Sequence, residues 1–117
     1  MIPKDSKEAV IQRLLVTKQR ANTLEVRLLL AGKSEEAGKV AKRSKALTRQ
    51  IEKLLGQVMD EWAGESTKII ADLKTANAGL QTSITNIKKN VKTAENIVKA
   101  VGLIDDAIVI ARGLIRA

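Results

Sequence analysis

Cysteine, histidine, phenylalanine and tyrosine are all missing from this 117-residue chain, and tryptophan and proline occur once each. Without cysteine there is no disulfide framework, no thiol nucleophile and no thiolate metal site. Without histidine there is no imidazole-based triad, no zinc–imidazole site and no proton shuttle tuned to neutral pH. The one proline, Pro3, precedes every periodic pattern, so nothing downstream forbids long helices. Long apolar runs are missing too. The most apolar segment, 97–117, is interrupted by Lys99, Asp105, Asp106, Arg112 and Arg116, well short of the ~20 apolar residues of a membrane span. The opening Met-Ile-Pro-Lys-Asp lacks the apolar stretch of a secretory signal, so the expected location is the cytoplasm, with export by another route left open.

What remains is 44% hydrophobic and 29% charged, apolar enough to fold and of a size for one domain. Twenty-one Lys and Arg stand against 13 Asp and Glu, a net charge of +8. Such a balance favours an anionic neighbour: nucleic acid, phospholipid head groups or an acidic protein.

The chain is rich in Ala, Leu, Lys and Glu, all good helix formers. Asp5 or Ser6 is expected to cap a first helix, over about 6–31. Its residues Val10, Leu14, Thr17, Ala21, Leu24 and Leu28 step by 4, 3, 4, 3 and 4, a coiled-coil-like seam with one polar tenant. Gly32 is placed to end it in a left-handed turn. Ser34, followed by Glu35 and Glu36, is the clearest helix start and is expected as the N-cap of a second helix, about 35–63. Val40, Leu47, Ile51, Leu54, Val58 and Trp62 share one arc of it. The short connection makes these two helices antiparallel neighbours.

Beyond them, Ser66, Ile69, Leu73, Ala76, Leu80, Ile84, Ile87, Val91, Ala94, Val98 and Val101 continue the seam, giving a third helix over about 66–101 after a break near Gly64. One unbroken helix from Ser34 to Val101 is the competing reading. Thr75 to Asn86, uncharged and polar, is the expected place for fraying or a kink. A short last helix, about 105–116, is expected after Gly102, capped by Asp105 or Asp106. The whole reads as all-α: one antiparallel helical bundle of three long amphipathic helices plus a short C-terminal one.

Chemistry finds little support. The neighbouring acids Glu35/Glu36, Asp60/Glu61 and Asp105/Asp106 project about 100° apart on a helix and do not converge. No calcium-loop pattern appears, and the seven glycines are scattered singly, so no phosphate-cradling loop exists. Neither catalysis, cofactor nor metal is expected. Lys39, Lys42, Arg43, Lys45, Arg49 and Lys53 crowd one helical segment and are the candidate face for an anionic partner, against the plain reading of a solvated surface. No aromatic interleaves with them, which removes the stacking platform of single-strand binders. Trp62, Ile104, Ile108, Ala111, Leu114 and Ile115 form the candidate assembly or membrane face; core packing competes for the same residues.

The expected function is a non-enzymatic helical interaction or self-assembly module, because a core without Phe or Tyr removes modest apolar area from water and favours association with a copy or a helical partner. A membrane-active, pore-forming-type protein using the C-terminal segment and a nucleic-acid-associated protein using 39–53 are the alternatives.

Overall fold

The computed structural model describes residues 4–57 and 66–115, with side-chain surroundings for 8–57 and 68–115. It is all helical: α1 (Lys4–Leu30), α2 (Ser34–Gly56), α3 (Ser66–Lys88) and α4 (Thr93–Leu114), with no strand among the described residues. Trp62 and the stretch around Gly64 lie outside the described residues.

Both tight turns use the same backbone device. At the first, the Gly32 N–H donates to the Leu29 carbonyl and the Lys33 N–H to the Leu28 carbonyl, with Gly32 at φ 76°. At the second, Asn90 donates to Ile87 and Val91 to Asn86, with Asn90 at φ 58°. These paired bonds to the third- and second-last carbonyls, around one left-handed residue, are the Schellman closure that satisfies a helix end. The Asn96 amide then donates to the Val91 and Lys92 carbonyls, fastening the second turn from the α4 side.

The helices differ from the sequence reading at several points. Ser34 is the first residue of α2, and Lys33 occupies the cap position without a side-chain cap bond, because the Schellman closure leads straight into α2. α1 is already helical at Lys4, so Asp5 and Ser6 lie inside its first turn. The Thr75–Asn86 stretch does not fray; it is helical throughout, with the Thr82 hydroxyl donating to the Ala78 carbonyl. The break falls at 89–92, and α4 is 22 residues long, so the last two helices are of similar length rather than long and short. Gly102, Asp105 and Asp106 are therefore mid-helix, not at a start. The break between the second and third helices is present as expected, with α3 beginning at Ser66, but α2 ends earlier than 63, at Gly56, where Gln57 turns to extended backbone.

The four helices lie side by side. α1 packs against α2 and α3, and α4 packs against α2 and α3, leaving α1/α4 and α2/α3 as the diagonals. Each tight turn makes its two helices antiparallel. One groove joins Lys33, Glu36 and Lys39 to Ala94, Ile97, Val98 and Val101, and Arg43 bonds Asp105 further along, so α2 and α4 ascend together. By elimination α1 and α3 are also parallel, and both turns sit at the same end of a molecule measuring 44 × 22 × 16 Å.

The interior is aliphatic. Val10, Leu14, Ala21, Leu24 and Leu28 of α1 face Val40, Leu47, Ile51 and Leu54 of α2, with Leu73, Leu80, Ile84 and Ile87 of α3 completing that side. α4 contributes Ile97, Ala100, Ile104, Ala107, Ile108, Ala111 and Leu114; its small side chains let it sit close to its neighbours. Polar groups interrupt this core at mid-height. The Thr17 hydroxyl is 2.5 Å from Asn77 Oδ1, the Asn77 amide donates to the Arg13 carbonyl at 3.1 Å, and Ser44 donates to Asn22 Oδ1 at 2.7 Å.

Candidate anion-binding faces

Helical phase decides what the basic segment of α2 presents. Taking the buried Val40, Ser44, Leu47 and Ile51 as the inward direction, Lys42, Lys45, Arg49 and Lys53 fall on the outward arc at 100° per residue. All four are exposed, and none has a carboxylate partner among the described residues. Lys39 is exposed too but leans toward α4, where with Lys33 and Arg43 it walls a groove of about 390 Å³ floored by Ala94, Ile97 and Val101. Arg43 is different. Its Nε donates to Asp105 Oδ1 at 2.9 Å and its Nη1 to the Lys39 carbonyl, so it ties α2 to α4. The six sequence candidates thus divide into four outward cations, one groove wall and one inter-helix tie.

The second candidate set goes elsewhere. Ile104, Ile108, Ala111 and Leu114 are buried core residues and Ile115 is half-buried against the core, so none of them offers an apolar surface to a partner or a membrane. The reason is the register of α4: being a full-length helix rather than a short tail, it turns that stripe inward. Apolar surface appears at other positions. Val26, Leu29 and Leu30, at 55%, 52% and 76% exposure, crowd the end of α1 beside the first turn, and Val98 is 73% exposed on α4. No described helix is long and apolar enough to cross a membrane.

Acidic side chains are dispersed. Asp72 and Asp106 line an open groove between α3 and α4 with Ala76, Leu103 and Ile110. Among the described residues no three acids stand together as a metal-ion cluster.

One cationic feature escaped the sequence reading. Arg13, Arg20 and Arg27 recur every seven residues and so share one flank of α1, and the Arg20 Nη1 donates to the Asn77 carbonyl of α3 at 3.0 Å. The signal was present as a heptad of arginines, but local charge density favours 39–53, where the cations are more closely spaced. Comparison with known proteins adds no identity. Neither the protein-family models, nor the curated proteins, nor the solved structures contain a match to this chain.

Proposed function

We propose that this protein is a non-enzymatic helical interaction module that receives an anionic partner on the outer face of α2. We take its four helices as an antiparallel hairpin pair packed into a bundle along heptad-like seams, a rigid platform for surface side chains. The observation that carries the reading is the outward set Lys42, Lys45, Arg49 and Lys53, exposed and in no ion pair among the described residues. Exposed cations on a rigid helix keep their attraction for an anion because no internal ion pair competes.

Self-association is the second half of the proposal, and it rests on Val26, Leu29 and Leu30 rather than on the C-terminal segment. Three large apolar side chains exposed together beside one turn favour burial against another surface. The pore-forming reading loses support, because its apolar element could reach a bilayer only by leaving the core.

The α2 face is tested by retention on a sulfated-polysaccharide column. Replacing Lys42, Lys45, Arg49 and Lys53 together by Gln keeps most of the helix propensity. A charge-matched control replaces the exposed Lys68, Lys89, Lys99 and Arg112. The α2 variant is expected to elute at clearly lower salt than the control. Equal elution of the two would reduce the face to diffuse attraction and end the proposal. Light scattering over a wide concentration range, with Leu29→Gln/Leu30→Gln as the comparison, tests the association: a wild type that stays monomeric throughout removes it.

A further inference from the structure

We infer that the seam between α1 and α3 is a binding track for the phosphate backbone of a nucleic acid. This goes beyond the α2 proposal, using a different face and naming the chemical class of its occupant.

The track is built from two parallel helices. Thr17 and Asn77 meet across the seam and fix the relative height of α1 and α3. Counting along each helix from that point at about 1.5 Å per residue puts Arg13 level with Lys74 and Arg27 level with Lys88, with Arg20 between them. Phase agrees with height. Arg20 reaches the Asn77 backbone, so the flank it shares with Arg13 and Arg27 faces α3, whereas Asn22, on the other flank, reaches Ser44 of α2. On α3, Lys74 and Lys88 lie to the side of Asn77 that faces α1, whereas Asp72 lines the groove on the α4 side. Five cations therefore follow one straight line about 21 Å long.

Three features distinguish this line from a solvated charged surface. It holds no acid: of the α1 and α3 acids with described side chains, Glu8 and Glu25 fall on other arcs of α1 and Asp72 faces α4. None of the five is in an ion pair among the described residues. The three arginines are also half-buried, and two of them are held in place, Arg20 by the Asn77 carbonyl and Arg13 through an Nη1 contact to the Ala9 carbonyl at 3.5 Å. One guanidinium bond to a backbone carbonyl leaves most of the five N–H donors free in a fixed orientation.

The chemistry of the occupant follows. Arginine matches phosphate with its planar fork of donors. A seven-residue repeat spaces the three arginines by about 10 Å along α1, far enough apart for each to meet a separate phosphate. A lipid surface or an acidic amphipathic helix would need apolar residues beside the cations. The large exposed apolar side chains are Leu15, Val26, Leu29, Leu30, Leu55, Val91, Val98 and Val109. Among the described residues none belongs to α3, and those of α1 lie on its outer and α2-facing arcs, so the half-buried Val16 is the one large apolar neighbour of Arg13 and Arg20 on that flank of α1. With no aromatic along the seam, the track holds backbone and reads no base.

The test is fluorescence anisotropy with a labelled mixed-sequence DNA duplex of about 20 base pairs at low salt, beside polyglutamate and phosphatidylserine vesicles. Arg13→Gln/Arg20→Gln/Arg27→Gln is expected to weaken duplex binding by about tenfold or more at ~50 mM salt and to reduce the log–log salt slope by up to ~2.7. Lys68→Gln/Lys99→Gln/Arg112→Gln, exposed cations away from the seam with the same charge change, is expected to lose less than about threefold, since it removes no phosphate contact of the track. Circular dichroism checks folding. If the arginine triple fails to fold, Arg27→Gln/Lys74→Gln/Lys88→Gln, which touches no backbone anchor, decides in its place. Equal loss in the charge-matched variant overturns the inference, as does undetectable duplex binding. Seam-dependent capture of polyglutamate or vesicles in preference to the duplex overturns it too. Loss of polysaccharide retention in the α2 variant with an unaffected seam variant would leave the proposed function standing and remove this inference alone.

Discussion

Replacing Thr17 by valine keeps the shape of a buried side chain while deleting one hydroxyl that stands between two acceptors. The Thr17 hydroxyl is 2.5 Å from Asn77 Oδ1 and 3.0 Å from the Arg13 carbonyl, and its single proton goes to the nearer acceptor. Asn77 is 5% exposed. Thr17→Val therefore leaves Asn77 Oδ1 in the interior with no donor, which costs about 1–3 kcal/mol. The partner change, Asn77→Leu, is close in shape and has a milder outcome, because the Thr17 hydroxyl turns to the Arg13 carbonyl of its own helix. With both changes no side-chain acceptor is stranded, and the double variant is expected near the Asn77→Leu value, short of the sum of the singles. A chain of this length gains roughly 4 °C in melting temperature per kcal/mol, so Thr17→Val should melt about 4–12 °C below wild type. Thermal unfolding followed by helical circular dichroism measures all four corners of the cycle. Strict additivity, with a double variant as destabilised as the two singles together, would refute the reasoning.

Two glycines should respond to alanine with opposite signs. Gly38, helical and with open space where a Cβ would stand, gains about 0.5–1 kcal/mol as alanine, whereas Gly32 at φ 76° loses about 1 kcal/mol, both read by urea unfolding. Ser83 is fully buried and its Oγ has no hydrogen-bond partner among the described residues, so Ser83→Ala should stabilise the protein, by up to about 1 kcal/mol; a lower melting temperature would show that the hydroxyl is satisfied after all. The Arg43–Asp105 pair is 30% and 48% exposed, so Asp105→Asn should cost less than about 1 kcal/mol, and the difference from wild type should shrink in high salt.

Much of the fold was legible in the sequence. The seam Val10, Leu14, Thr17, Ala21, Leu24 and Leu28 is buried along its length, as are Val40, Leu47, Ile51 and Leu54, and Gly32 ends α1 as expected. The second turn was not legible, for a physical reason. Apolar residues at Ile87, Val91, Ala94, Val98 and Val101 continue the 4–3 rhythm across the break, yet Val91 and Val98 are exposed and the true core of α4 runs through Ile97, Ala100, Ile104 and Ala107. Periodicity reports a stripe but not whether a turn resets its phase. The one local signal was Asn90, the residue other than glycine that best tolerates the left-handed position. The candidate basic segment was legible as a segment, but its division was not, because Arg43 is claimed by Asp105, which lies 62 residues away in the chain.

The mid-height polar contacts have a consequence for alignment. A core of leucine, isoleucine, valine and alanine repeats itself every seven residues, and such faces can slide by one heptad with little change in apolar burial. Moving α3 by one heptad along α1 would set Asn77 opposite Val10 or Leu24, and moving α2 along α1 would part Ser44 from Asn22. Each slipped arrangement strands at least one buried polar group, which costs on the order of 1–3 kcal/mol. Thr17, Asn22, Ser44 and Asn77 thus act as index marks that select one alignment among several equally greasy ones. The Thr17–Asn77 contact sets the heights of Arg13, Arg20 and Arg27 against Lys74 and Lys88, so the order of the surface charges on this face is inherited from two polar side chains in the interior.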